Sequence, residues 1–329
     1  MSPNKRDEYV DVVKGIAMLL IVRVHAEVFD VIHTPYPVIA VPLFFFLSGF
    51  YDNTEKTLNV WLPKAFKRLF LTGAIWVIIS FCYISLLHYL KDHTIKLNFS
   101  WEEPLIGGGV TWFLFALFYA KCFMWLISWI NLSKWILLLF FVISGGWLSQ
   151  INLPLLLDEG IAAVPFYYAG KIIYPYLNSN WNVLKWVGIV GMGFIMLMPM
   201  KWFPWVFVPY TGDLPLLYPV FCLMTICSFV TFLWIGKKLE NQKWLVRYGT
   251  QTLGILVIHP LLLHTCAVIY NRTLLKGAPL WCFISIFTYV IVGIACYYIS
   301  QWIRTNWPVL FGEGITSVKR NCKNRTICK

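Results

Sequence analysis

The chain has 329 residues, of which 59% are hydrophobic, 18% aromatic and only 13% charged, with a formal net charge of +12. Soluble domains carry about 25% charged residues, so this composition excludes an ordinary soluble enzyme and indicates an all-α, polytopic integral membrane protein. A basic surplus gathered on a soluble fold would suit nucleic acid, but here the lysines and arginines fall mostly between apolar stretches, where membrane topology accounts for them, and no nucleic-acid partner is expected.

Apolar windows of roughly 17 to 25 residues, long enough to span a bilayer, occur at 9–29, 36–52, 69–90, 111–130, 134–151, 159–177, 183–200, 214–236, 249–270 and 280–304. About ten transmembrane helices are therefore expected. The first run is interrupted by charge and lacks a small-residue cleavage site, so it reads as a retained span rather than a signal peptide. The second is short and carries Pro37 and Pro42. Before the third, the basic stretch from Lys56 to Arg68, with Trp61 and Phe66, suits an amphipathic interfacial helix. With the N-terminus inside, nineteen basic residues lie on the inner side and five on the outer, which places both termini in the cytoplasm. No internal repeat is visible. The expected organisation is one membrane domain over residues 1–305, followed by a basic cytoplasmic tail over 306–329.

The first window holds Asp11, Lys14, Arg23, His25 and Glu27. Ionisable groups at membrane depth are costly and mark a functional site by default. At ~100° and ~1.5 Å per residue, Lys14 and His25 differ by only ~20° in azimuth and ~16 Å in height, so they share one helix face. Asp11 stands at i,i+3 to Lys14, where opposite charges pair. A stripe of Asp11, Lys14, Met18, Ile21 and His25 should therefore turn into the protein. His25 then reads as a functional imidazole in the outer half of the membrane, and its alternative is a hydrogen-bonded packing histidine.

Further along, Val41-Pro42-Leu43-Phe44-Phe45-Phe46-Leu47-Ser48-Gly49-Phe50 ends in a pair that permits close backbone approach, so an irregular helix end there can line a cavity; the other reading is an aromatic, lipid-facing helix. Lys64 and Arg68 suit phosphate recognition or simple positive-inside charge. Trp112 is either an interfacial anchor or part of a pocket. Lys121, about ten residues deeper, needs a partner that sequence does not identify. Asp158 and Glu159 precede the sixth window, as a binding pair for a polar acceptor or as exposed loop acids. His259, in Tyr248-Gly249-Thr250-Gln251-Thr252-Leu253-Gly254-Ile255-Leu256-Val257-Ile258-His259-Pro260, is a second imidazole in a span, with packing or hydrogen bonding as its simpler role. The nine cysteines show no zinc-like spacing, so no metal site is expected.

Asp11-x-x-Lys14-Gly15-Ile16-Ala17 followed by His25 resembles the first helix of the membrane-bound acyltransferase-3 family, whose signature is Arg or Lys, ten residues, then His. The segment from Val41 to Phe50 is similar to that family's second-helix motif, Thr111-Trp112-Phe113-Leu114 to its fourth-span element, Pro165-Phe166-Tyr167-Tyr168-Ala169-Gly170-Lys171 to its PFYxxG run, and Thr252 to His259 to its TLxIYxxH helix. Two departures stand out. Lys64 and Arg68, or Lys67, stand in place of the usual two arginines, and Leu256 stands where Tyr is usual.

In length and pattern the chain is closest to the single-domain sugar O-acetylases of the fucose 4-O-acetylase type. The resemblance implies transfer of an acetyl group from cytosolic acetyl-CoA, as co-substrate, to a hydroxyl of a surface or lipid-linked glycan, in the bacterial inner (cytoplasmic) membrane, with no tightly bound cofactor. The implied partners are acetyl-CoA, the glycan acceptor and membrane lipids. His25 is the implied base and Asp11 its catalytic companion, holding Lys14. Lys14, Lys64 and Arg68 would meet the CoA phosphates, and Ser48, Trp112, Lys121, Glu159 and His259 would line the substrate pocket. A transporter or flippase of a lipid-linked sugar is the rival, since buried charges in many spans also suit translocation.

Overall fold

The apolar windows become helices because a lipid-embedded backbone can satisfy its own hydrogen bonds only within a helix or a closed barrel. The computed structural model describes residues 7–26, 36–52, 54, 57–93, 110–148, 153, 156–177, 181–197, 218–272 and 281–313, and these are mostly helical with no strand among them. The helices are α1 Glu8–His25, α2 Tyr36–Gly49, α3 Leu58–Ala65, α4 Thr72–Asp92, α5 Trp112–Ile127, α6 Lys134–Leu148, α7 Leu157–Ile173, α8 Trp181–Leu197, α9 Tyr218–Lys238, α10 Lys243–Thr250, α11 Thr252–Arg272 and α12 Trp281–Asn306. Where its residues are described, each apolar window overlaps one of α1, α2, α4, α5, α6, α7, α8, α9, α11 and α12. Among the described residues, four helical runs are long and apolar enough to cross a membrane: Leu58–Leu90, Tyr218–Lys238, Thr252–Ile269 and Phe283–Asn306. Ile39–Gly49, Trp112–Ile127, Lys134–Gly145 and Leu184–Leu197 are apolar but shorter. The residues beyond 313, the glycines 107–109 and Glu27 lie outside the described residues.

From Leu58 on, the basic stretch before the third window is helical: α3 continues through a π-helical turn, Phe66–Leu71, into α4. Widening the turn displaces carbonyls from the usual ladder, and the hydroxyl of Thr72 donates to the carbonyl of Lys67 at 3.2 Å. Gly312, at φ +64, packs against Lys67 and Arg68 so closely that an added Cβ would lie 2.5 Å from the Lys67 carbonyl oxygen. A positive φ and that proximity both require glycine.

The chain forms two compact units. The first is drawn from Met1–Ile21, Asp30–Leu58 and Tyr119–Thr250, the second from Val22–Phe29, Asn59–Phe118 and Gln251–Lys329. In the first unit α2 crosses α7 with backbones in contact. A Cβ on Gly49 would collide with the carbonyl of Tyr167, and one on Gly170 with the carbonyl of Phe46. Lipid is as apolar as a protein core, so close backbone packing between small residues, rather than hydrophobic burial, drives such helix pairs together. The phenylalanine run of α2 belongs to this core: Phe45 and Phe46 have no exposed surface, and Phe44 has 8%. The start of α1 is gripped in the same way, with Gly15 against Leu245, Gly236 against Tyr9 and Gly249 against the carbonyl of Asp11.

In the second unit α11 packs on α12 and on α4. The hydroxyls of Tyr83 and Thr265 meet at 2.6 Å. The indole N–H of Trp76 donates to the carbonyl of Leu310 at 2.9 Å, with its ring stacked on Phe311. Arg304 is held by both carboxylate oxygens of Glu313 and by Gln251, which fixes the end of α12 to the turn that follows it.

Candidate functional site

The second unit contains His25, His259, Lys64, Arg68 and Trp112. His25 ends α1 and His259 lies midway along α11, and their rings approach to 5.1 Å between centroids at an angle of 51°. His25 is exposed, whereas His259 has no exposed surface. The Nδ1 of His259 stands 2.9 Å from the carbonyl of Ile255, one turn back on the same helix. A carbonyl oxygen only accepts, so Nδ1 carries the hydrogen and Nε2 keeps the lone pair. That Nε2 is buried and makes no hydrogen bond. An unsatisfied buried acceptor costs about 1–3 kcal/mol, so the packing of α11 maintains it at the expense of stability. The sequence marks both imidazoles as intramembrane, but nothing in it places them side by side.

Lys64 and Arg68 are both exposed, Lys64 in the last turn of α3 and Arg68 within the π-helical turn. Irregular turns of this kind recur at functional sites because they re-aim side chains. Trp112 opens α5 half-buried, edge-on to Phe113.

The first unit contains Asp11, Lys14, Ser48, Lys121 and Glu159. Asp11 is buried, at 3% exposure. Lys14 is half-buried, and its ammonium lies 5.5 Å from the centre of the Tyr51 ring, a cation–π distance. The Tyr51 hydroxyl and that of Tyr174 both donate to Asp7, at 3.4 and 2.6 Å. Ser48 bonds back to the carbonyl of Phe44 at 2.7 Å, within its own helix. Glu159 is 6% exposed at the start of α7, and its Oε2 is buried without a hydrogen-bond partner.

Lys121 has the partner that the sequence left unidentified. Its ammonium donates to the hydroxyl of Tyr167 at 3.3 Å and lies 5.9 Å from the centre of that ring. The Tyr167 hydroxyl donates in turn to Asp52 at 2.9 Å. Asp52, with only 2% of its side chain exposed, also receives Thr54 at 2.7 Å and the ammonium of Lys171 at 3.0 Å. Two lysines thus share one buried carboxylate, with a tyrosine between them. Asp52, Tyr167 and Lys171 were not among the expected site residues. The available signal was a carboxylate three residues beyond the end of an otherwise uncharged apolar helix, where a deep ammonium elsewhere in the chain requires an anion.

Four helical runs long and apolar enough to cross a membrane, with Asp11, Glu159 and His259 buried among the described residues, mark the chain as a membrane protein. A family model described as an acyltransferase domain, that of the acyltransferase-3 family, matches residues 7–304. The chain therefore belongs to the acyltransferase-3 family of membrane proteins and is an acyltransferase. No curated protein and no solved structure matches it.

Proposed function

We propose that the protein transfers an acetyl group from acetyl-CoA to a sugar hydroxyl of a surface or lipid-linked polysaccharide, in a bacterial inner membrane, from a ten-span topology with both termini cytoplasmic. The observation that carries this reading is His25: an exposed imidazole on the basic-x10-His pattern of a chain that belongs to an acyltransferase family. A sugar hydroxyl is a poor nucleophile near neutral pH, and imidazole is the side chain best suited to accept its proton there.

In the proposed reaction the hydroxyl oxygen attacks the thioester carbonyl carbon while His25 takes the hydroxyl proton. The carbon–sulfur bond then breaks, and the proton passes from His25 to the departing CoA sulfur. Products are the O-acetyl sugar and CoA thiol, with no other reactant required. Lys14, Lys64 and Arg68 supply cationic contacts for the CoA phosphates, and Asp11 sets the position of Lys14. Ser48, Trp112, Lys121, Glu159 and His259 are the proposed pocket residues.

The test is mass spectrometry of the surface polysaccharide from cells with and without the gene, together with transfer of labelled acetyl from acetyl-CoA by isolated membranes. Loss of one acetyl mass per modified sugar on deletion, restored by the gene, supports the reading. A glycan that keeps its acetyl groups but fails to reach the surface overturns it in favour of translocation.

A further inference from the structure

We infer that His259 is a positioning residue: its Nε2 accepts a hydrogen bond from the ring N–H of His25 and thereby fixes the tautomer in which His25 presents its other nitrogen, as a lone pair, to the acceptor hydroxyl. The inference rests on the reading of His25 as the base. Three observations lead to it. The Ile255 carbonyl assigns the hydrogen of His259 to Nδ1. The Nε2 lone pair is enclosed and unpartnered. The neighbouring ring at 5.1 Å is that of His25. The two rings are not hydrogen-bonded in this structure, but ring nitrogens stand about 1.2 Å from the ring centre, so a turn of the exposed His25 ring that aims one nitrogen at Nε2 brings the two to roughly 2.7 Å, within hydrogen-bond range.

The pairing has a chemical consequence at each stage. Before reaction, an imidazole whose one N–H is given to His259 has only its lone pair left for the substrate, so the unproductive one of its two neutral tautomers is disfavoured. After His25 takes the proton it carries two N–H groups, and the one facing His259 keeps its acceptor, a stronger bond now that the donor is charged. His259 itself gains and loses no proton. The carbonyl of Ile255 holds its ring in place, as an orienting group holds a base in other catalytic sets.

The test uses the full-length chain in membranes of the gene-deleted source cell, which carry the native acceptor, with CoA thiol released from acetyl-CoA as the readout and turnover expressed per folded enzyme. His259→Leu fills the space without an acceptor and is expected to lower kcat by roughly tenfold to a hundredfold while leaving KM for acetyl-CoA unchanged. His259→Gln places an amide oxygen near the position of Nε2 and is expected to recover most of that loss. His259→Asn reaches only the position of Nδ1 and is expected to stay low, which keeps the comparison decisive if the leucine variant folds poorly. Native turnover in His259→Leu, or equal turnover in the Gln and Asn variants, overturns the pairing. His25→Gln separates the two ideas. If it is inactive while His259→Leu is native, only the pairing fails, and if it stays active the base itself lies elsewhere.

Discussion

Asp52 and His259 are both enclosed polar groups, and their surroundings treat them in opposite ways. Asp52 receives a hydroxyl from Thr54, another from Tyr167 and the ammonium of Lys171, so both of its oxygens are engaged. His259 has one nitrogen satisfied within its own helix and the other left with a lone pair and no partner. The first arrangement joins the end of α2 to α7 and, through Tyr167, to Lys121 of α5. Charges in such a network offset the cost of one another's burial. The second keeps an interaction in reserve, and a reserve held against a free-energy cost is what a reacting group requires. On the proposed function, changes in the Asp52 cluster are expected to act first on stability and changes in the histidine pair on turnover.

Replacing His25 by Gln tests the chemical half of that contrast. It should reduce turnover by about 10²–10⁴-fold, the usual contribution of a positioned base, without lowering the thermal midpoint of the purified protein. A fall in the midpoint with unchanged turnover per folded molecule would make the histidine pair structural after all.

Removing the carboxylate of Asp52 addresses the architectural half. Asp52→Ala leaves two ammonium groups facing a missing anion, and breaking a buried charge network from one side costs about 3–5 kcal/mol. Little folded protein should be recovered in detergent. Replacing Lys171 by Met in the same chain should restore part of the loss, because the pair is energetically coupled. Independent, additive effects in that double-mutant cycle would show that the 3.0 Å contact carries no weight.

The packing beneath the cluster is probed by Gly170→Ala. Its new Cβ would meet the carbonyl of Phe46, a rigid backbone group, and overpacking of this sort costs about 1–3 kcal/mol. A lower thermal midpoint with unaltered KM for acetyl-CoA is the expected result. The smallest change is Ser48→Ala. The serine hydroxyl only returns to a carbonyl of its own helix, and such a back-bond contributes little to helix stability. A midpoint within about 1 °C of the native one is expected from a change of a few tenths of a kcal/mol, so any drop in turnover would report contact with substrate.

The sequence was enough to set the positions of the helices, the membrane character and the family, because each depends on short-range properties: runs of apolar residues of bilayer length, and motifs whose spacing is read along one helix. It also placed Lys14 and His25 on one face of α1, since helical periodicity alone decides that. The amphipathic stretch before the third window was legible as helix, but its fusion with α4 depended on a π-helical turn closed by Thr72 and by Gly312, which lies more than two hundred residues away in the chain. Tertiary structure alone decided which polar group meets which. Lys121 finds Tyr167 46 positions away, and Tyr167 finds Asp52 across 115, while His25 meets a ring on α11. In a soluble helix the polar face announces what is outside and the apolar face what is inside. Here lipid and core are equally apolar, so hydropathy is silent about which side of a helix faces its neighbours, and only close backbone approaches such as Gly49 on α7 and Gly170 on α2 determine the partners.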